Sequence, residues 1–447
     1  MKKEYLIYKL SDASKDACKI DNELFPMYNV KRGLRNEDGS GVLVGLTKIG
    51  NVVGYERLPD NGGLKAIPGK LFYRGYDVED LAHALIKEKR FGFEEVAYLL
   101  LSGKLPDKEE LASFKGLICD NMPLEQKTKM NILDLEGQNI MNILARSVLE
   151  MYTFDPNPDD TSRDNLMRQS IELISRFPTI IAYAYNIYRH STHGRSLHIR
   201  HPHENLSLAE NFLHMLKKDF TELDARTLDL LLVLQAEHGG GNNSTFTVRV
   251  TSSTGTDTYS SVAAALGSLK GPRHGGANIK VVRMFEDMQK SINTENKDEI
   301  KDYLVRLLDK QAFDKAGLIY GMGHAVYSKS DPRADILMNC ARKLALEKGF
   351  EKEYTLYETV AKLAPEIIAD KRKMYKGVSA NVDFYSGLIY KMLELPCELF
   401  TPIFAVSRIA GWSAHRIEEI QNSGKIIRPT YINVKPVREY IRLEERR

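Results

Sequence analysis

The sequence predicts a mainly α-helical protein: a large helical domain, a smaller helical domain inserted into it, and short β elements near the N-terminus. Three observations lead there. From Leu71 onward, apolar residues recur at helical spacing through most of the chain. Only residues 30–58 combine Gly, Val and turn pairs in the manner of short strands and hairpins. Apolar helices give way to strongly charged ones near residue 275 and return near 390, which predicts a large domain over 1–275 and 391–447 and a small one over 276–390.

Composition narrows the class. The chain has 447 residues, 43% hydrophobic and 28% charged, enough to build its cores without covalent staples. A net charge of +3 gives no basic face of the kind nucleic acid requires. Cys18, Cys119, Cys340 and Cys397 are far apart and form no CxxC pair, so neither a disulfide framework nor a structural zinc site is expected, and a reducing compartment fits. The first residues hold only a short apolar run interrupted by Glu4, Asp12 and Asp16, unlike a targeting segment, and no stretch has the length of a membrane span. A soluble cytoplasmic protein without nucleic-acid or membrane partners is expected.

In chain order, residues 1–30 read as a helical or irregular lead-in. Asp38-Gly39 and Gly50-Asn51 mark turns between short strands. The stretch LFYRGYDVEDLAHALI is expected to be helical, with Asp77 as its N-cap and Asp80 three residues on. FEEVAYLLLSGKLP is a helix closed by Gly103 with Pro106 beyond. Amphipathic helices flank the loop DPNPDD, and a further helix is expected to start at Pro178. The segment RHSTHGRSLHIRHPH carries His190, His193, His198, His201 and His203. It lacks a helical i, i+4 pair with a neighbouring acid, so a polar inter-helix loop is favoured over a metal site. TLDLLLVLQAEH is apolar enough for a core helix, and LFTPIFAVSRIAGWSAHRIEEIQ holds the single tryptophan, Trp412.

Four turns interrupt these helices with chemically useful residues: EHGGGNN, GPRHGGAN, GMGHAVYSKSDPRAD and NVDFYSG. They place His238, His274, His324 and Asp383 at helix boundaries, where glycine allows close backbone approach. A helix N-terminus favours the neutral, hydrogen-bond-donating imidazole. Asp383 precedes an apolar run and is either a helix N-cap or a partly desolvated carboxylate with the raised pKa of a useful base. Arg408 lies inside the apolar run FAVSRIAGW, where a guanidinium needs a partner, and a carboxylate suits its planar fork. Arg333 in DPR and Arg428 in IRPT are the other notable cations. There is no GxSxG, no GxxxxGK[ST] and no HExxH. His/Asp acid–base chemistry on a small polycarboxylate is the reading these residues support.

In their order and wording these segments resemble the citrate synthases. The resemblance runs from about Val30 to Tyr431 and includes KLFYRGYDVEDLA, FEEVAYLLLSGKLP, LSLAENFL and all four turns. It implies condensation of acetyl-CoA with oxaloacetate, with no metal or other cofactor. By the same resemblance Asp383 removes a methyl proton, His274 hydrogen-bonds the thioester oxygen, and His324 polarises and protonates the ketone. His238, Arg333 and Arg408 would bind oxaloacetate. Arg428 would reach the neighbouring site of a homodimer. Some positions depart from the family pattern. Met322, Ala325 and Ser328 stand in the His324 turn, and Ser328 replaces a usual basic residue, which leaves the CoA-phosphate contacts open. Lys329, Lys373 and Lys376 are candidates for them. A 2-methylcitrate synthase using propionyl-CoA is an alternative within the family. Outside it stand a metal-dependent hydrolase using the histidine cluster and a non-catalytic binding protein.

Overall fold

The computed structural model describes residues 3–59, 63–135, 137–373, 377–422 and 424–446. Helices α1 (Lys3–Ala17) and α2 (Leu24–Met27) lead into a three-stranded antiparallel sheet of β1 (Gly50–Arg57), β2 (Leu64–Tyr73) and β3 (Tyr76–Asp77), in the order β1-β2-β3. Then come α3 (Val78–Glu88), α4 (Phe93–Ser102), α5 (Lys108–Asn121), α6 (Gln126–Asp134), α7 (Ile140–Phe154), α8 (Arg163–His193), α9 (Leu208–Leu216) and α10 (Glu222–Gln235). The chain continues through α11 (Asn243–Ser252), α12 (Thr258–Lys270), α13 (Ala277–Ser291), α14 (Lys297–Leu308), α15 (Pro332–Lys348), α16 (Glu351–Arg372), α17 (Val382–Met392) and α18 (Phe400–Asn422). The protein is therefore mainly α, as its periodicity predicts.

Three local expectations need correction. Residues 41–46 are not strands, and Leu43 and Leu46 lie exposed to solvent. Pairing begins at Gly50, opposite Tyr73, so Leu71–Tyr73 close β2 instead of opening a helix. The period-2 pattern explains this: Leu71 and Tyr73 are fully buried while Lys70 and Phe72 point the other way. Pro178 likewise does not start a helix. It sits inside the single 31-residue helix α8. An interior proline costs about 3 kcal/mol, but the flanking Phe177, Ile180 and Ile181 are all fully buried, and their packing outweighs that cost.

The helix ends are fixed by side-chain chemistry. Asp77 caps α3 by accepting from the Glu79 N–H, and Gly103 closes α4 in the left-handed conformation, both as expected. Reciprocal capping boxes start α5 (Asp107/Glu110), α9 (Ser207/Glu210) and α10 (Thr221/Asp224).

Helix α18 is the axis of the larger assembly. It is buried from Phe400 to Ile417 and packs against α4, α7, α8, α10, α11 and α12. Helices α13–α17 pack chiefly on one another, and α15 also meets α3, β2 and α10. The β1–β2 hairpin fits between the two groups. A Cβ at Gly54 would strike the Val326 carbonyl 2.5 Å away, while Gly69 N–H donates to Ser330 O at 3.2 Å. Tyr55 OH bonds Ser328 Oγ, and Tyr327 OH donates to Lys70 O at 3.3 Å.

Candidate active site

The turn after α10 carries His238. Gly239 takes φ +79°, and a Cβ there would crowd Val52 Cγ2 at 3.0 Å. The tight turn leaves His238 8% exposed, with Nε2 buried and without a hydrogen-bond partner among the described residues. Burial, followed by the charge of Arg333, holds its pKa well below the ordinary value, so the ring is neutral.

His274 sits in the turn before α13. Thr401 Oγ1 donates to the Gly275 carbonyl at 2.9 Å, and a Cβ on Gly275 would lie 2.7 Å from Thr401 Cγ2. Nε2 of His274 lies 3.0 Å from Ser244 Oγ, which also accepts from Trp412 Nε1 at 3.3 Å and reaches Asn242 Oδ1 at 2.9 Å. Among the described residues, Nδ1 of His274 has no hydrogen-bond partner. Burial pulls its pKa down to about 4, with a smaller contribution from Arg408.

His324 occupies the loop before α15, directly after Gly323 at φ +89°. Its Nδ1 accepts from the backbone N–H groups of Val326 (3.1 Å) and Tyr327 (3.2 Å). Those bonds leave the proton of the neutral ring on Nε2, where it is a donor. The ring stacks on Tyr327 at 4.7 Å and meets the His238 ring edge-on at 4.9 Å. Burial lowers its pKa to about 4, and Arg333 adds to the shift. Further along the loop, Asp331 caps α15 and holds Arg333 in a fork, Nε at 3.0 Å and Nη2 at 2.8 Å. With Pro332 at the first helical position, the DPR sequence makes a rigid mount for a buried guanidinium.

The start of α17 is sewn to the His324 loop. Gly323 N–H donates to Ser379 O at 2.8 Å, Asn381 N–H to Gly321 O at 2.9 Å, and Asn381 Nδ2 to Gly323 O at 2.8 Å. Asn381 is also the N-cap of α17, accepting from the Asp383 N–H at 3.0 Å. Of the two readings of Asp383, the cap is thus excluded. Its half-buried carboxylate makes no hydrogen bond among the described residues. Burial raises its pKa to about 6 against the lowering fields of Arg333 and Arg408, while Asp331 pushes it further up.

Arg408 comes from α18 and is wholly buried. Nε donates to Gln235 O at 2.7 Å and the guanidinium lies 4.7 Å from the Phe404 ring centroid. Nη1 and Nη2 have no partner among the described residues. Burial, only partly offset by Glu237, drives its pKa down to about 10. The cation is thus buried with two nitrogens left without an acceptor among the described residues.

These residues share one region. His238, His274 and His324 line a cleft of about 920 Å³ with Arg35, Arg273 and Ala325. Arg333 and Arg408 act electrostatically on both His238 and Asp383 behind it. The remaining expected residues are elsewhere. Arg428 is exposed on the segment following α18, and Lys329 and Lys373 are exposed outside the cleft lining. Lys376 lies outside the described residues. Ser328 is buried against Tyr55. The histidine cluster is dispersed: His190 Nδ1 meets Arg195 O, and His201 Nδ1 meets Tyr183 OH. Among the described residues, no three His, Cys, Asp or Glu side chains are grouped to hold a metal. Ser244, Arg35 and Arg273 escape a reading of the sequence. Arg273 adjoins His274 and is open to notice, whereas Arg35 and Ser244 are set by tertiary folding alone.

A family model described as "Citrate synthase, C-terminal domain" matches residues 38–430. The chain is 35% identical over 421 residues to a citrate synthase of Synechocystis sp., covering 93% of this chain and 92% of that one. It is 34% identical over 384 residues to a 2-methylcitrate synthase of Shewanella oneidensis, covering 82% and 89%. The citrate synthase of Thermoplasma acidophilum, solved as a ternary complex with carboxymethyl coenzyme A and oxaloacetate, superposes with a TM-score of 0.76 at 25% identity, covering 93% and 99%.

Proposed function

The chain belongs to the citrate synthase family of condensing acyltransferases, and on that premise we propose that it joins acetyl-CoA to oxaloacetate, giving citrate and free CoA. The observation that carries the reading is the unpartnered pair Arg408 Nη1 and Nη2, buried in one region with the unpartnered Nε2 of His238. A small ligand bearing carboxylates would satisfy all three at once. Arg333 offers its remaining nitrogen, since Nε and Nη2 are held by Asp331.

In this reading Asp383 takes a proton from the acetyl methyl group. His274 donates from Nδ1 to the thioester oxygen as charge develops there. That tautomer requires the Ser244 hydroxyl hydrogen to turn from Asn242 to His274 Nε2. The enol carbon then attacks the oxaloacetate ketone, and His324 Nε2–H protonates the ketone oxygen as the C–C bond forms. Water cleaves the resulting citryl thioester and releases CoA. Proton transfer and hydrogen bonding carry every step, and the reading calls on no metal or prosthetic group. Arg35 and Arg273 at the cleft, in place of Lys329 or Lys373, are the cations suited to CoA phosphates.

We assign residues 276–390 to a smaller domain that closes on the larger once oxaloacetate binds. The sewing of the His324 loop to α17 supports this, because it makes His324 and Asp383 move together. We also assign a homodimer in which Arg428 reaches the neighbouring site. The segment after α18 exposes Tyr431, Val437 and Tyr440, an apolar arm suited to a second copy. The free thiols of Cys18, Cys119, Cys340 and Cys397 support a place in the reducing cytoplasm. No described helix is long and apolar enough to cross a membrane.

The 34% identity to a 2-methylcitrate synthase favours one second reading, with propionyl-CoA as substrate. Measuring kcat/KM for both thioesters decides: a higher value for acetyl-CoA supports citrate synthesis, and a higher value for propionyl-CoA overturns it.

A further inference from the structure

Beside His238, against Gly50 and Gly240 of the cleft lining, lies a chain of polar and charged groups that no proposed step uses. Glu237 is completely buried. Its Oε1 accepts from the Gly239 N–H at 2.5 Å and from His415 Nε2 at 2.8 Å. Arg249 donates to His415 Nδ1 from Nε at 3.0 Å, so the imidazole is neutral and its single proton faces Glu237. Arg249 Nη1 donates to Glu419 at 2.8 Å, and Nη2 bonds Glu418. Glu418 in turn accepts from the Lys48 N–H at 2.8 Å. The pocket is cut to fit this carboxylate. A Cβ at Gly50 would lie 2.6 Å from Glu237 Oε1, and one at Gly411 would lie 2.5 Å from Oε2.

Helix α18 therefore grips segment 235–239 at two points about two helical turns apart: Arg408 Nε at the Gln235 carbonyl, and His415 at Glu237. His238 follows directly, between Glu237 and the Gly239 N–H that Glu237 Oε1 also accepts from. We propose, resting on the condensing reading above, that the Glu237–His415–Arg249 relay is a positioning device for the oxaloacetate half of the site, fixing His238 against Arg408 without touching substrate. His274 is held separately, by Ser244 and by Thr401 through Gly275, so the acyl-CoA half should not depend on the relay.

The test is a split in KM. His415→Asn keeps an acceptor near Arg249 but is too short to reach Glu237, whereas His415→Gln presents an N–H at about the reach of Nε2. His415→Asn should raise the oxaloacetate KM about tenfold or more, as expected for loss of a charged buried hydrogen bond, with the acetyl-CoA KM within about twofold of wild type. His415→Gln should recover most of the loss. An unchanged oxaloacetate KM with a lowered melting temperature, an equal rise in both KM values, or no recovery with Gln each overturns the proposal. If His415→Asn does not fold, Glu237→Gln replaces it, with the same split expected and an unchanged oxaloacetate KM refuting. A wild-type protein that fails to condense counts against the condensing reading instead. Oxaloacetate binding by calorimetry to wild type and variants then judges the relay by itself: equal affinities overturn it and weakened affinity in His415→Asn supports it.

Discussion

Replacing Asp383 with Asn should destroy turnover and stabilise the protein. The folded pKa of about 6 lies above the ordinary 3.8, so the native state holds this proton more tightly than the unfolded chain does. The sign follows: below about pH 4 the group costs nothing, stability falls as pH rises from about 4 to 6, and the whole cost is present above about pH 6. Holding this proton at about 6 instead of 3.8 corresponds to about 3 kcal/mol, reduced to about 1–2 kcal/mol because the side chain is only half-buried and water screens it. The amide that replaces the carboxylate has no charge to desolvate, and the cap on α17 is untouched because Asn381 supplies it. The variant should therefore melt a few degrees higher than wild type at about pH 7.5, and the difference should vanish near pH 4. Loss of the general base should lower kcat about a thousandfold. Calorimetric melting at both pH values and CoA-release kinetics measure the two effects. A variant that keeps wild-type turnover, or is less stable than wild type at the higher pH, refutes the assignment of Asp383 as a desolvated base.

Wild-type kcat/KM for acetyl-CoA should fall about tenfold per unit below roughly pH 6, where Asp383 becomes protonated; a flat profile from about pH 5 to 7 counts against it. Arg408→Met should raise the oxaloacetate KM about a hundredfold, while the ligand-free protein melts no lower, because a buried cation without a counter-charge is removed; an unchanged KM contradicts its role. His324→Asn should lower kcat about a hundredfold or more with oxaloacetate binding largely kept, since the Nε2 donor acts on the ketone as charge develops; calorimetry and turnover together check this. Arg428→Ala should lose activity and regain part of it when mixed with Asp383→Asn under conditions of subunit exchange, and absence of complementation removes the shared site.

The helices, their caps at Asp77 and Gly103, and the four turns are legible in the sequence because each rests on local chemistry: periodicity, an acceptor at an N-cap, glycine at a left-handed position. Pro178 misleads because its local penalty is visible in the sequence while the burial of Phe177, Ile180 and Ile181 that exceeds it is not. Residues 41–46 mislead for the converse reason, since Val and Leu make a strand only where a neighbour pairs with them. At the site, the residue types of the four turns point to acid–base chemistry, and family resemblance supplies the roles. The tautomer of His324 and the freedom of Asp383 are beyond a linear reading. They depend on the N–H groups of Val326 and Tyr327 and on Asn381 taking the cap. Lys329 and Lys373 adjoin the site motifs in sequence yet lie outside the cleft lining, because proximity in sequence says little about which surface a side chain meets. Arg35 reaches the cleft from far along the chain.

The most direct measurement is the release of free CoA by the wild-type protein from acetyl-CoA, with and without oxaloacetate, together with product identification. One CoA and one citrate per oxaloacetate consumed, with negligible CoA release when oxaloacetate is absent, is the predicted result. CoA release at the same rate without oxaloacetate, or none with it, would contradict a site in which Arg408 and His238 must first be filled by a polycarboxylate.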